Sequence, residues 1–416
     1  MMNLGVASGY LKDVVSRSAA ALALAAALLL NASARADEAT PSEATVLPAF
    51  EGFKVAGDEE KRINMFFGLG AGLDTNVSRR PSGSEEAATP LEALAGVSVR
   101  MGNLEKSYDF RCQGRRIQYS DADNSKYDRN EAQATLNMSQ GAEVLRFRLY
   151  AEYAMLSDAI AEWSEPLLDR NRLALAPGVD MSFGKLELGL DGALTTATFP
   201  DAGELDYGDM GGKVECRLAL SEGQRFFAHM DMGNIDYSKS ARSDFRYQRL
   251  YGGWRAENAR RSSVELGYGT DTLDSFSADP SLSFSGTYLA FRSKLSMKGE
   301  RAALDLSYSV DADAAANAAY KEATRWLVRY ASKSSDRLSW SAGVNMEDST
   351  FTSEKPGTPT RLISAGVNGG LQLELGSPGR WHGRFVGVLE YEVNDANVDT
   401  YDYTRLRLVG WLALVK

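Results

Sequence analysis

The chain has 416 residues but only 2 cysteines, 2 histidines and 11 prolines. Two cysteines cannot build a disulfide framework. Two histidines leave little for metal ligation or imidazole chemistry, which excludes a zinc protein and most histidine-dependent enzymes. No catalytic, metal-binding or cofactor-binding residue is assigned, and no cofactor is expected. Basic residues are also short, 46 Lys and Arg against 56 Asp and Glu, for a formal net charge of −10. A general nucleic-acid binder needs a basic surface, so nucleic acid is not among the expected partners. Long apolar runs are missing too. The run Ala19–Leu30 (AAALALAAALLL) falls short of the roughly 20 residues that span a bilayer as a helix. No later run is longer, so no transmembrane helix is expected. What the chain does have is 44% hydrophobic residues, too many for a disordered polymer, with 38 Gly, 18 Tyr and 16 Phe, a β-rich balance.

The apolar run at the N-terminus reads as an address. Lys12 and Arg17 precede it and Ala34-Arg35-Ala36 follows it, the three parts of a secretory signal. Residues 1–36 are expected to be a signal peptide cut before Asp37; a buried N-terminal helix is the alternative. No Cys follows the cleavage site, so it is not a lipoprotein signal. Residues 37–60 form an acidic, Pro-containing segment expected to stay in the periplasm. The rest, 61–416, is one unit.

In that unit apolar residues recur at period 2, which puts alternate side chains on opposite faces of a strand. In 61–77 the set Ile63, Met65, Phe67, Leu69, Ala71 and Leu73 alternates with Asn64, Phe66, Gly68, Gly70, Gly72 and Asp74. In 186–198 Leu186, Leu188, Leu190 and Leu194 oppose Glu187 and Asp191; in 401–416 Leu406, Leu408, Leu412 and Leu414 oppose Arg405 and Arg407. The pattern predicts 18 strands (16–18 as a range), at 61–77, 91–102, 106–119, 130–139, 143–157, 169–183, 186–199, 207–220, 224–237, 245–257, 261–273, 283–297, 301–312, 319–333, 336–348, 360–376, 380–394 and 401–416. Many exceed the length usual in soluble sheets and reach the roughly 9–11 residues that cross a bilayer at a tilt.

Short turns such as Gly184-Lys185 and Ser221-Glu222-Gly223 alternate with long loops such as 78–90 and 200–209. Short turns on one rim and long loops on the other are the layout of an outer-membrane barrel. The long loops are acidic (Asp201, Glu204, Asp206, Asp395, Asp399) and the turn side is basic (Lys185, Arg260, Arg261, Arg301). Prolines fall mostly in loops; Pro177, mid-strand, implies a bulge or a wrong register.

One strand face is apolar nearly throughout and the other polar, no long helix is available to cover the apolar face, and Tyr108, Trp326, Tyr330, Trp381 and Tyr391 fall near strand ends as an interfacial girdle would. The fold class expected is therefore an all-β, antiparallel up-and-down transmembrane β-barrel in the outer membrane of a Gram-negative cell, with outer-membrane lipid, lipopolysaccharide and the barrel-insertion machinery as partners. A soluble periplasmic β protein is the alternative.

Function has to be sought on the inward face. The lining candidates are Arg111, Arg115, Arg146, Arg148, Asp191, Arg249, Arg255, Asp305, Arg325, Arg329, Glu390, Arg405 and Arg407. Opposite signs fall on neighbouring strands: Asp305 and Asp311 beside Arg325 and Arg329, Glu390 and Glu392 beside Arg405 and Arg407. Such pairs either stabilise a wet wall modestly or form charge rings that select a solute. No segment between 61 and 416 is long and apolar enough to be a plug domain, so an open lumen is expected. His229 and His382 fall on the ninth and seventeenth strands, nearly opposite each other, as lining residues rather than bases. Cys112 and Cys216, on outward faces five strands apart, should be free thiols.

The opening strand FFGLGAGLDTNVSRRPSG (66–83) and the closing YDYTRLRLVGWLALVK (401–416) resemble the terminal strands of the beta-barrel porin 2-like group, whose first strand is Gly-rich and enters its loop through an Asp-Asn-Val/Ile-type sequence, here Asp74-Thr75-Asn76-Val77. The resemblance implies an outer-membrane barrel; some members of the group accompany exopolysaccharide export genes, which implies export components as partners. The chain departs from outer-membrane barrels at its end, Leu414-Val415-Lys416, where an aromatic residue is usual; recognition would then use Trp411 and Leu412–Leu414, or the signal is degenerate. Three readings stay open: a channel or porin passing small solutes or assisting exopolysaccharide export, a non-conducting structural or adhesive surface barrel, and, least supported for want of His, a barrel enzyme acting on envelope lipid or polysaccharide.

Overall fold

The structure, a computed structural model, describes residues 62–415 apart from 78–85, 104, 121–126, 159–167, 201, 239–243, 259–261, 278–281, 298–301, 315–319, 353–359, 377–380 and 399–401. The expected signal peptide, 1–36, and the acidic segment, 37–60, lie outside the described residues.

Eighteen strands follow in order: β1 (Arg62–Asp74), β2 (Pro90–Gly102), β3 (Lys106–Tyr119), β4 (Arg129–Gly141), β5 (Leu145–Asp158), β6 (Leu168–Phe183), β7 (Leu186–Thr198), β8 (Tyr207–Ser221), β9 (Gln224–Tyr237), β10 (Phe245–Glu257), β11 (Ser263–Ser275), β12 (Phe284–Met297), β13 (Ala302–Ala314), β14 (Tyr320–Lys333), β15 (Leu338–Thr352), β16 (Arg361–Glu374), β17 (His382–Ala396) and β18 (Tyr403–Val415). Each pairs antiparallel with its sequence neighbour, and β1 also pairs with β18, so the 18-stranded sheet closes on itself. The result is the all-β, antiparallel up-and-down barrel that the alternation predicts, with strand ends displaced by only a few residues. Closure pairs every strand on both sides over most of its described length. Gly102, Gly141, Gly184 and Gly223 take φ of 118, 147, 66 and 80° at the short turns, a region in which glycine alone is comfortable.

Pro177 carries neither the bulge nor the slipped register that its mid-strand place implies. Leu175 pairs with Leu194 and Gly178 with Asp191 in one unbroken register, and only the rungs of Ala176 and Pro177 are missing. Gly192 stands across from the ring, which leaves the pyrrolidine room; a Cβ there would sit 3.4 Å from Pro177 Cγ. The missing N–H thus removes local hydrogen bonding without moving the strand.

Along β18, Leu408, Leu412 and Leu414 are exposed while Val409, Trp411, Ala413 and Val415 are buried. The inward side of lower β18 is therefore apolar, unlike the polar face expected of it. Trp411, fully buried, faces the interior. The Gly-rich composition of β1 follows from this. Its inward positions are Gly68, Gly70 and Gly72; the Trp411 indole lies over Gly70, and a Cβ on Gly68 would come 2.8 Å from Leu94 Cδ1. Outward aromatic pairs include Tyr308–Trp326 (4.2 Å between centroids) and Tyr330–Trp340 (5.0 Å). Trp326 sits in the middle of β14 rather than at a strand end, so it is not part of a rim girdle. Cys112 and Cys216 are free thiols.

A substitution tests the Trp411 seat. Gly70→Ala should lower the thermal midpoint of the heat-modifiable folded band, since overpacking costs about 1–3 kcal/mol. Gly114→Ala, whose added Cβ would meet only Glu131 O at 3.6 Å, should leave it unchanged. Equal shifts would remove Trp411 from that seat.

Candidate functional site

Strand pairing places every lining candidate on the inward face, and the structure joins most of them into runs of alternating charge. The longest run crosses the closing seam. Arg405 on β18 lies between Asp74 (2.5 Å) and Glu392 (3.6 Å). Arg407, one turn of the pleat lower, lies between Glu92 (2.5 Å) and Glu390 (2.8 Å). Glu92 is 3.9 Å from Arg115, which binds Glu131 at 2.5 Å, and Arg129 Nε is 3.1 Å from Glu131. The Trp411 indole N–H donates to the other Glu92 oxygen at 3.1 Å. The side chains of Asp74 and Glu92 are 0% exposed.

Asp74-Thr75-Asn76 closes the seam. The Thr75 N–H donates to Leu406 O at 3.0 Å and its hydroxyl accepts the Leu406 N–H at 2.9 Å. The Asn76 amide donates to Thr404 O at 3.1 Å. The loop-entry motif therefore binds the first strand to the last.

Elsewhere Arg148 holds Asp180 (2.6 Å) and Asp191 (2.9 Å). Arg255 is 3.7 Å from Glu257 and 4.0 Å from Glu265. Arg111 binds Asp109 at 2.8 Å, Arg249 binds Asp271 at 2.7 Å, and Arg325 joins Asp311 and, at 2.8 Å, Glu347. Asp305 stands opposite Arg329 in register, and Arg146 opposite Asp180. Asp311 with Arg325, Glu390 with Arg407 and Glu392 with Arg405 meet as their strand neighbourhood implies. Sequence reasoning named Asp74 only within the loop-entry motif and did not single out Glu92, Arg129 or Glu131. The signal was present: Glu92 alternates with Leu91 and Ala93, so parity alone turns it inward.

Both histidines are on the inward side with acidic partners, on β9 and β17. His229 Nε2 is 2.9 Å from Asp231, its ring stacked on Tyr251 at 4.5 Å. His382 Nε2 is 2.9 Å from Glu374, which also binds Arg384 at 2.7 Å.

The wall parts between β12 and β13. The β12–β13 ladder ends at Leu289↔Val310, while β12 stays paired to β11 up to Phe284 and β13 to β14 up to Ala314. Above that point the parity of the β13–β14 tip no longer matches its surroundings. Ala312 and Tyr320 have outward parity, yet they are buried in one cluster with Phe245, Leu273 and Leu282 and with Phe284 packed against it. Phe245, Leu273 and Phe284 belong to the inward face of β10, β11 and β12. The Phe284 and Tyr320 rings are 5.5 Å apart. An outward face buried on inward residues means that the described ends of β13 and β14, called the tip below, lie inside the ring at the long-loop end. The lumen is thus not clear along its whole length, against expectation: the described ends of β13 and β14 narrow it where no plug domain was to be found.

No family model matches the chain, and no curated protein sequence matches it. Solved structures of similar fold include three from Pseudomonas aeruginosa. OccK2 (OpdF) in complex with glucuronate has 10% identity and a TM-score of 0.44, over 85% of this chain and 98% of that one. The outer membrane protein opdK has 10% identity and a TM-score of 0.45, over 85% and 99%. OprD has 10% identity and a TM-score of 0.42, over 85% and 95%.

Proposed function

We propose that the protein is an outer-membrane channel of a Gram-negative bacterium, passing small polar solutes and carrying no enzymatic activity. One observation carries the reading: a closed 18-strand ring whose outward face is apolar and whose inward face is set with charge runs. Such a wall is at home only with lipid outside and water inside. On this reading the chain is exported by its cleaved signal peptide, inserted by the barrel machinery and surrounded by lipid and lipopolysaccharide. Assistance to exopolysaccharide export, with export components as partners, rests on the resemblance of the terminal strands alone. The infolded tip favours a second reading, a non-conducting structural or adhesive surface barrel.

Planar-bilayer recording separates the two. The purified folded protein should conduct, with a weak cation preference set by the acidic long loops and screened beyond about 8–10 Å at physiological salt. The preference should fade at high salt. Asp201→Asn with Glu204→Gln should reduce it without closing the pore. Asp206 is left alone, because its carboxylate accepts the Phe199 N–H at 2.6 Å and holds its loop. Folded protein without any conductance would establish the second reading.

A further inference from the structure

The infolded tip is held by two side chains that reach past β12. Arg249 and Asp271 face each other on one rung of β10 and β11. Asp271 Oδ2 accepts the backbone N–H of Ala312 at 3.0 Å, and Arg249 Nη2 donates to Ala312 O at 3.3 Å. Continuing the β12–β13 register beyond Leu289↔Val310 would put Ala312 opposite Thr287. The two backbone groups that β12 leaves unpaired are therefore taken by a carboxylate and a guanidinium from the next strands along. The same carboxylate oxygen accepts from Arg249 Nε (3.1 Å) and Nη2 (2.7 Å). Charge-assisted bonds of this kind are about twice as strong as neutral ones. Tyr288 fixes the guanidinium from its other side, with the ring centroid 4.6 Å from Arg249 Cζ. Asp271 is 2% exposed, so water does not compete for it.

We infer that Asp271 and Arg249 are positioning residues that staple the β13–β14 tip inside the ring and so set the limiting width of the lumen. The inference rests on the channel reading. Two arrangements compete for Ala312: the staple, with the apolar contacts of Phe245, Leu273 and Phe284, or the unfinished β12–β13 ladder. An Asn at 271 can set its oxygen in the place of Oδ2 but drops the charge that strengthens all three bonds to it, which weakens the first arrangement alone. Released, the tip zips onto β12 and the mouth widens.

Two measurements test this. In a chain with Cys112→Ala and Cys216→Ala, the pair Phe284→Cys and Tyr320→Cys is cross-linked in membranes with a short bifunctional thiol reagent. Cross-linking should be efficient, and should fall sharply when Asp271→Asn or Arg249→Lys is added, each variant confirmed as folded by heat-modifiable migration. In bilayers and swelling liposomes, the same two variants in the wild-type background should show about twofold higher conductance and admit larger neutral sugars, as a widened constriction requires. Equal cross-linking with and without Asp271 overturns the staple. Cross-linking lost with conductance and size limit unchanged overturns its control of width. Asp271-dependent cross-linking in a barrel that never conducts upholds the staple and overturns the channel reading.

Discussion

Leu190→Arg is expected to remove most of the folded, heat-modifiable barrel from the membrane, while Asp191→Asn leaves assembly near normal. The two residues are neighbours on β7 and face opposite ways. Leu190 is 44% exposed on the outward face. An arginine near the bilayer midplane on that face costs about 2–4 kcal/mol. Asp191 faces inward, where its partner Arg148 keeps Asp180 at 2.6 Å after the substitution. Losing one of two partly exposed ion-pair partners costs about 0–1 kcal/mol. The fraction of each variant that migrates as folded barrel in isolated outer membranes is the measurement. Equal loss would place the strand one residue out of register, since a slip of one exchanges every side chain between the two faces.

Parity is the part of this molecule that its sequence states openly. Period-2 alternation needs no tertiary information, so strand number, closure and the inward direction of Arg405 and Arg407 could all be read from it. Three features escaped because each depends on what a neighbouring strand does. Asp74 meets Arg405 across 331 positions of sequence, and only ring closure brings them together. Lower β18 is apolar on both faces, so alternation there cannot tell Trp411, seated over Gly70, from the lipid-facing leucines. The β13–β14 tip keeps its alternation unchanged; Ala312 and Tyr320 become interior because β12 stops pairing with β13, an event with no local signature. Pro177 misled in the opposite direction, since the fault it implied is absorbed at the strand opposite, by Gly192.

The largest loss of stability is expected at Arg407→Met. Arg407 lies between Glu92 and Glu390, at 2.5 and 2.8 Å, nearer to Glu92 than Arg115 at 3.9 Å, and its side chain is 5% exposed. Removing it leaves two carboxylates on a wall that water barely reaches, and breaking a buried pair from one side costs about 3–5 kcal/mol. Glu92→Gln should be much milder, because Arg407 retains Glu390 and the amide oxygen can still accept the Trp411 indole N–H. Adding Glu92→Gln to Arg407→Met should recover part of the loss, since one of the two stranded charges is gone. Thermal denaturation of the purified barrel in detergent, followed by the heat-modifiable shift, gives the order: Glu92→Gln nearest to wild type, the double variant next, Arg407→Met lowest. If Arg407→Met and Glu92→Gln melt together, the carboxylates are hydrated and the run is a solvated lining. The predicted order would instead make Arg407 the joint of the charged run, reaching Glu390 on β17 and Glu92 on β2. The closing seam would then be held from the inside by that guanidinium together with the Asp74–Arg405 pair.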